Sequence, residues 1–136
     1  MIREIMHDET FLSEVSAPAT VMDLYLAKDL KDTLMAHTDS CVGMAANMIG
    51  IRKRAIIFAD DGTCRVMFNP EIVHASGEYE TDEGCLSLTG ERHTRRFRKI
   101  TVKYRDEDFS EKVERFRDFT AQIIQHEIDH TNGILI

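Results

Sequence analysis

The segment from His126 to His130 reads H-E-x-x-H, and this motif constrains the possible folds of the chain more than any other feature. On a helix, side chains four residues apart project from the same face, so the two imidazoles can bind one metal ion. Phe119 and Ile123 place that face toward a core, which favours a metal site over two exposed histidines on a charged helix. Glu127 lies beside the pair without being needed as a ligand, so it is a candidate acid/base for a hydrolytic water.

The third ligand of such a site must come from upstream. A catalytic zinc-like site needs three protein ligands and one open position, yet no His or acidic residue follows His130. This weakens the alternative of a conventional zinc protease, in which the third ligand lies downstream. Cys85 is the best upstream candidate, because the adjacent Gly84 permits a close turn and a metal ion would hold the thiol as a thiolate.

Composition indicates one domain that stays in the cytoplasm. A chain of 136 residues with 43% apolar content can build a single core, and we expect one domain over residues 1–136, without a C-terminal extension. No segment approaches the roughly 18 to 20 apolar residues that span a membrane. The net charge of -7 indicates a surface that repels phosphate backbones, so we expect no direct nucleic-acid binding. Three cysteines, an odd number, argue against a disulfide framework.

The order of apolar patterns predicts an α+β fold with mostly antiparallel strands. Apolar residues at steps of four predict a helix over residues 19–36. Short β-rich runs predict strands at 55–58, 65–68, 72–75 and 100–104, and a weaker strand at 112–116. Asp118 is expected to cap a last helix that Gly133 ends.

These motifs resemble the peptide deformylase family, whose signatures are G-x-G-L-A-A-x-Q, E-G-C-L-S and H-E-x-D-H, in that order. The second is intact as residues 83–87 and the third as residues 126–130. The first survives in part, as Cys41-Val42-Gly43-Met44-Ala45-Ala46-Asn47-Met48.

The resemblance implies the deformylase fold, in which antiparallel sheets pack on the helix that carries H-E-x-D-H. It also implies removal of the N-formyl group from the N-terminal methionine of newly made polypeptides, with release of formate. The cofactor would be one divalent metal ion, Fe²⁺ in the cell and often Zn²⁺ or Ni²⁺ after purification. The partners would be N-formylmethionyl peptides, with no membrane association. Transient ribosome association is a further possibility, without support from the C-terminal tail that many members carry.

The resemblance also implies a role for individual residues. Cys85, His126 and His130 would hold the metal ion, and Glu127 would transfer the proton from the hydrolytic water to the leaving amine. The peptide N–H of Leu86 would donate to the oxyanion.

Substrate-binding residues are also implied. Gly43 would bind the substrate backbone in an extended form. Phe119 and Ile123 could line a pocket for the methionine side chain, although such a helix face is as often simply core. Arg92 could contact peptide carbonyls or could be solvated.

The sequence departs from the family pattern mainly at Met48, which replaces the glutamine that donates to the formyl oxygen. A thioether cannot donate a hydrogen bond, and the adjacent Asn47 would have to point in the same direction to replace it. Cys41 replaces the first glycine of that signature and is either a small packed residue or a second thiol near the metal. Three hypotheses follow: a deformylase, a related hydrolase with weak activity or acting on another N-acylated amine, or a largely non-catalytic metal-binding protein.

Overall fold

The computed structural model describes residues 1–136 and has three α-helices, two short 3₁₀ helices and one sheet. The elements are α1 (Glu9–Leu12), α2 (Leu26–Met35), β1 (Gly43–Ala45), β2 (Ala55–Asp60), β3 (Thr63–Cys85), β4 (Leu88–Arg105), β5 (Glu111–Arg117) and α3 (Asp118–Thr131). The five strands lie side by side in chain order, and every neighbouring pair is antiparallel. The predicted α+β fold with antiparallel strands is confirmed.

Strand β2 is buried on both faces, because a helix packs against each of them. Ala55 and Ile57 belong to one apolar core, which contains the α2 leucines. Ile56 and Phe58 belong to the other, which contains the apolar residues of α3. Alternate side chains of a strand point to opposite faces, so β2 contributes to both cores and packs between α2 and α3.

Strands β3 and β4 form one long hairpin, and the prediction from the sequence wrongly divided β3 into separate strands. The predicted strands 65–68 and 72–75 are parts of the single strand β3, which bends through register shifts between Phe68 and Glu71 and between Ile72 and His74. Asn69 lies in the first shift with a φ of 51°. Its Oδ1 accepts a hydrogen bond from the Ala19 N–H at 2.7 Å, and its Nδ2 donates to the Ala19 carbonyl oxygen at 3.0 Å. The turn signal at Asn69 therefore marks a bulge, not the end of a strand.

Two helix starts differ from the prediction. The segment before α2 is a separate 3₁₀ turn, Val21–Asp23, because Thr20 and Asp23 cap it reciprocally. Helix α3 follows β5 without a connecting loop, so Arg117 occupies the N-cap position and Asp118, with a φ of 55°, is already the first helical residue. The prediction that Asp118 is the cap was wrong. None of the helices has the length and apolar character needed to cross a membrane.

Candidate metal centre and active site

Three possible metal ligands converge at the junction of the hairpin tip and α3. Cys85 ends β3, and the chain turns at residues 86–87 into β4. The Cys85 Sγ lies 3.3 Å from Nε2 of His130, which lies 3.0 Å from Nε2 of His126. These three atoms are all within 4.8 Å of one another, and both imidazoles are buried. One thiolate and two imidazoles around a common point fit a divalent transition metal ion.

Glu83 fixes the orientation of one of these imidazoles. Its Oε1 accepts a hydrogen bond from Nδ1 of His126 at 2.8 Å, which leaves Nε2 free to act as a ligand. Arg96 Nη2 donates to the same oxygen at 2.7 Å, and Gln122 Nε2 donates to Oε2 at 2.9 Å. Burial alone would raise the pKa of Glu83, but these hydrogen bonds outweigh it and lower the pKa to about 2. Glu83 therefore stays anionic.

Arg96 links this carboxylate to Asp129 on α3. Its Nη1 donates to Asp129 Oδ2 at 2.7 Å, and only 4% of its side chain is exposed. The sequence did not identify Arg96, because it lies in the run from Arg92 to Arg98, which reads as a solvated charged strand. The intact second signature contains Glu83, so that residue could have been found from its motif.

Glu127 directly follows His126 on α3, is buried, and faces β1. A Cβ atom on Gly43 would lie 2.8 Å from Glu127 Oε2 and 2.7 Å from Ile123 Cγ2, so the glycine makes room for the carboxylate. Burial raises the pKa of Glu127 to about 7, although the nearby charge of His126 opposes the shift. A carboxyl group that titrates near neutral pH can both accept and donate a proton.

A cavity of about 620 Å³ opens beside these residues. Val42 and Phe119, which both line it, are 44% and 61% exposed. Most residues that the sequence singled out also line this cavity, namely Cys41, Gly43, Met48, Cys85, Leu86, Ile123, His126 and Glu127. The structure therefore brings the three signatures together around a single opening.

A family model described as Polypeptide deformylase matches residues 2–136. The chain belongs to the peptide deformylase family. A peptide deformylase of Clostridium beijerinckii is 48% identical over 136 residues, which are 100% of both chains. The class I type b peptide deformylase of Acinetobacter baumannii is similar in structure, with a TM-score of 0.89 and 31% identity over 99% of this chain and 96% of that one. A peptide deformylase from Legionella pneumophila gives a TM-score of 0.89 and 35% identity over 99% and 83% of the respective chains.

Membership in the peptide deformylase family identifies the activity of the chain. It is a metal-dependent hydrolase that removes the N-formyl group from the N-terminal methionine of newly made polypeptides. The function implied by the sequence resemblance is confirmed.

The departures from the deformylase signature have defined positions. Met48 is 1% exposed and lines the cavity, where its Sδ accepts a hydrogen bond from the Ala45 N–H at 3.4 Å. Asn47 does not line the cavity, and its Nδ2 donates to the backbone oxygen of His130 at 2.9 Å. Because its amide donor is used there, Asn47 does not replace the deformylase glutamine.

Cys41 lines the cavity but is not one of the three converging ligands. Its thiol lies 2.8 Å from the backbone oxygen of Gly43, to which it donates. Burial and the negative charge of Glu127 raise the pKa of Cys41 to about 12, so the thiol stays protonated.

The proposed substrate-binding residues separate into two groups. Gly43, Phe119 and Ile123 line the cavity, although the exposure of Phe119 shows that it is not a core residue. Arg92 does not line it and instead lies 3.9 Å from Glu9. The sequence placed these four residues together, whereas the structure brings together three.

Proposed function

We propose that Cys85, His126 and His130 hold one divalent metal ion in this deformylase and that Glu127 is its acid/base. The observation that carries the proposal is the convergence of the three ligand atoms within 4.8 Å, beside a carboxyl group whose pKa burial has raised to about 7. When bound, the ion supplies Lewis acidity, which polarises the formyl group and makes a nearby water more acidic.

Glu127 moves the proton in this scheme. It accepts a proton from the water that attacks the formyl carbon and passes that proton to the amine nitrogen as the carbon–nitrogen bond breaks, which gives formate and a free amine. The Leu86 N–H donates to the formyl oxygen as negative charge develops there. Its place in the tight turn directly after Cys85, on the cavity wall, supports this role.

We assign substrate binding to the part of the cavity between β1 and α3. Gly43 has no side chain, so a substrate backbone can approach β1 closely, and Phe119 and Ile123 offer apolar contacts to a methionine side chain. The Acinetobacter baumannii structure is described as bound to Met-Ala-Ser, a peptide that begins with methionine. Arg92 lies outside the cavity, which does not support the substrate contact suggested from the sequence.

Ferrous iron is the metal that we propose for the cell. A Cys/His/His donor set accepts Fe²⁺, Zn²⁺ and Ni²⁺, and intrinsic affinity increases from iron to nickel. Purified protein can therefore carry zinc or nickel, so metal content has to be measured after anaerobic purification.

One observation favours a second candidate, which is slow deformylation or action on another N-acylated amine. Met48 places a thioether where the family signature has an amide, and Asn47 is turned away, so the cavity has one side-chain donor fewer for a formyl oxygen. Comparison of formylated and acetylated peptides separates the two candidates.

Formate release from a formyl-methionyl peptide, by protein loaded anaerobically with iron, tests the proposal. Glu127→Gln should retain one equivalent of metal and lose hydrolysis, because the amide keeps the shape but cannot accept the proton. Hydrolysis at the parental rate by this variant would show that Glu127 is not the base.

A further inference from the structure

Lys99 and Arg115 differ from all other lysine and arginine side chains of this protein. Each of the others has a carboxylate, a hydrogen-bonded group or an aromatic ring as a partner. Lys99 and Arg115 have none, and both are exposed. The protein has a net charge of -7, yet no carboxylate of its own neutralises these two cations. This indicates a position where an external anion could bind.

Both side chains line the same groove, a cavity of about 700 Å³ on the sheet of β3, β4 and β5. Its polar lining consists of Lys99, Arg115, Arg117, His74, Ser76 and Thr101, and contains no carboxylate. Arg117 is only weakly neutralised, with its Nε 3.8 Å from Asp118 and 78% of its side chain exposed. The groove shares no residue with the cavity beside Glu127.

Strand pairing fixes these groups in two rows. Lys99 pairs with Ser76 on one side and with Arg117 on the other, and Thr101 pairs with His74 and with Arg115. Like charges directly opposite each other on neighbouring strands destabilise a sheet. An anion between Lys99 and Arg117 would relieve that repulsion, and hydroxyl groups of Ser76 and Thr101 are suitable donors to phosphate oxygens.

We propose that this groove, which we call the β3–β5 groove, binds the phosphate backbone of RNA. Arginine and lysine beside serine and threonine are the side chains that contact nucleic-acid phosphates. The aromatic residue in the groove, Phe116, is half-buried and packs edge-on against Phe58, so it offers no platform for base stacking. A flat membrane surface fits a concave groove poorly. The substrates are newly made polypeptides, which are synthesised beside RNA.

The proposal departs from the expectation that net charge excludes nucleic-acid binding. Net charge describes the average surface, whereas a local cluster attracts phosphates within about one Debye length, ~8 to 10 Å at physiological ionic strength. Binding through only three cations is weak and strongly dependent on salt.

Fluorescence anisotropy of a labelled RNA hairpin, titrated with the full-length metal-loaded protein at increasing KCl, tests the groove. Each neutralised phosphate contributes about -0.7 to -0.9 to the slope of log K against log salt concentration, so three cations predict a slope of about -2 to -3. The double variant Lys99→Ser/Arg115→Ser should reduce the slope by about 1.5 and the affinity at low salt by roughly tenfold or more. Formate release should be unchanged.

The matched control is Lys28→Ser/Lys31→Ser, which removes an equal number of positive charges, two, from α2. There each lysine has a carboxylate partner. This control should keep the parental slope. An equal loss of RNA affinity in both double variants would overturn the proposal, because net charge and not the groove would then control binding. Absence of RNA binding at low salt, or binding only to phosphatidylserine vesicles, would also overturn it.

Discussion

Substitution of Met48 by glutamine should accelerate deformylation, because it restores a side-chain donor at the cavity wall. Met48 is buried, and its Sδ lies 3.4 Å from the Ala45 nitrogen. Glutamine is similar in length, so its Oε1 can accept from the Ala45 N–H while Nε2 donates into the cavity. The Oε1 atom of the new amide would then have a hydrogen-bond donor. This limits the loss of folding free energy, which is about 1 to 3 kcal/mol for an unpaired buried polar group.

The expected gain follows from the value of one oxyanion donor. Removal of such a donor typically lowers turnover by about 100- to 1000-fold. In the proposed scheme the Leu86 N–H and the metal ion act on the same oxygen, so we expect partial recovery, at least about tenfold in kcat/KM, or ~1.4 kcal/mol. Met48→Leu, which changes shape without adding a donor, should stay at the parental rate.

Steady-state formate release from a formyl-methionyl peptide measures this effect, with metal content and thermal unfolding determined on the same samples. An unchanged or lower rate in Met48→Gln, with metal and fold intact, would refute the donor argument. The same pair assayed on acetylated peptides would then show whether another acyl group is the natural substrate, since the unmodified protein should turn that substrate over best.

Three further predictions concern the metal site. Cys85→Ala should reduce bound metal from one equivalent to almost none by elemental analysis, and full occupancy would disprove its role as a ligand. Arg96→Met removes the cation between two carboxylates, so the metal affinity should fall by about 10- to 100-fold. The control Arg65→Met also removes an arginine from between two carboxylates, and it should leave the metal affinity unchanged. Gly43→Ala should lower kcat by about 100-fold with metal retained, because its Cβ would displace Glu127; an unaltered kcat would show that the carboxylate has room to move.

The sequence predicted the elements whose signals are local. Helix α3 and its two histidines were found because apolar periodicity and the H-E-x-x-H motif coincide in one segment. The continuity of β3 was missed because Asn69 and Pro70 are ordinary strand breakers, and only the contact with Ala19, 50 residues away, makes them a bulge. Local patterns carry no information about such a distant partner.

The sequence indicated the three candidate ligands, and Glu83 belongs to an intact motif, whereas the buried arginine that holds Glu83 in place was not predictable. Cys85 and the histidines are identified by residue type and spacing. The buried position of Arg96 depends on the register between β3 and β4, and no spacing rule separates it from its exposed neighbour Arg95. The direction of the Asn47 side chain likewise depends on how α3 docks against the segment after β1.

The chain-order sheet has a consequence for how this protein assembles. Each strand pairs with its neighbour in the sequence, so the hairpins close short loops, which is favourable for rapid folding. The contact between Cys85 and His130 closes a longer loop, because these residues are 45 positions apart and lie on the hairpin tip and on α3. An ion held by both residues, as proposed above, would link these two parts of the chain, and its binding free energy would add to the stability of the docked helix, by ~4 kcal/mol at a free metal concentration about 1,000 times the Kd.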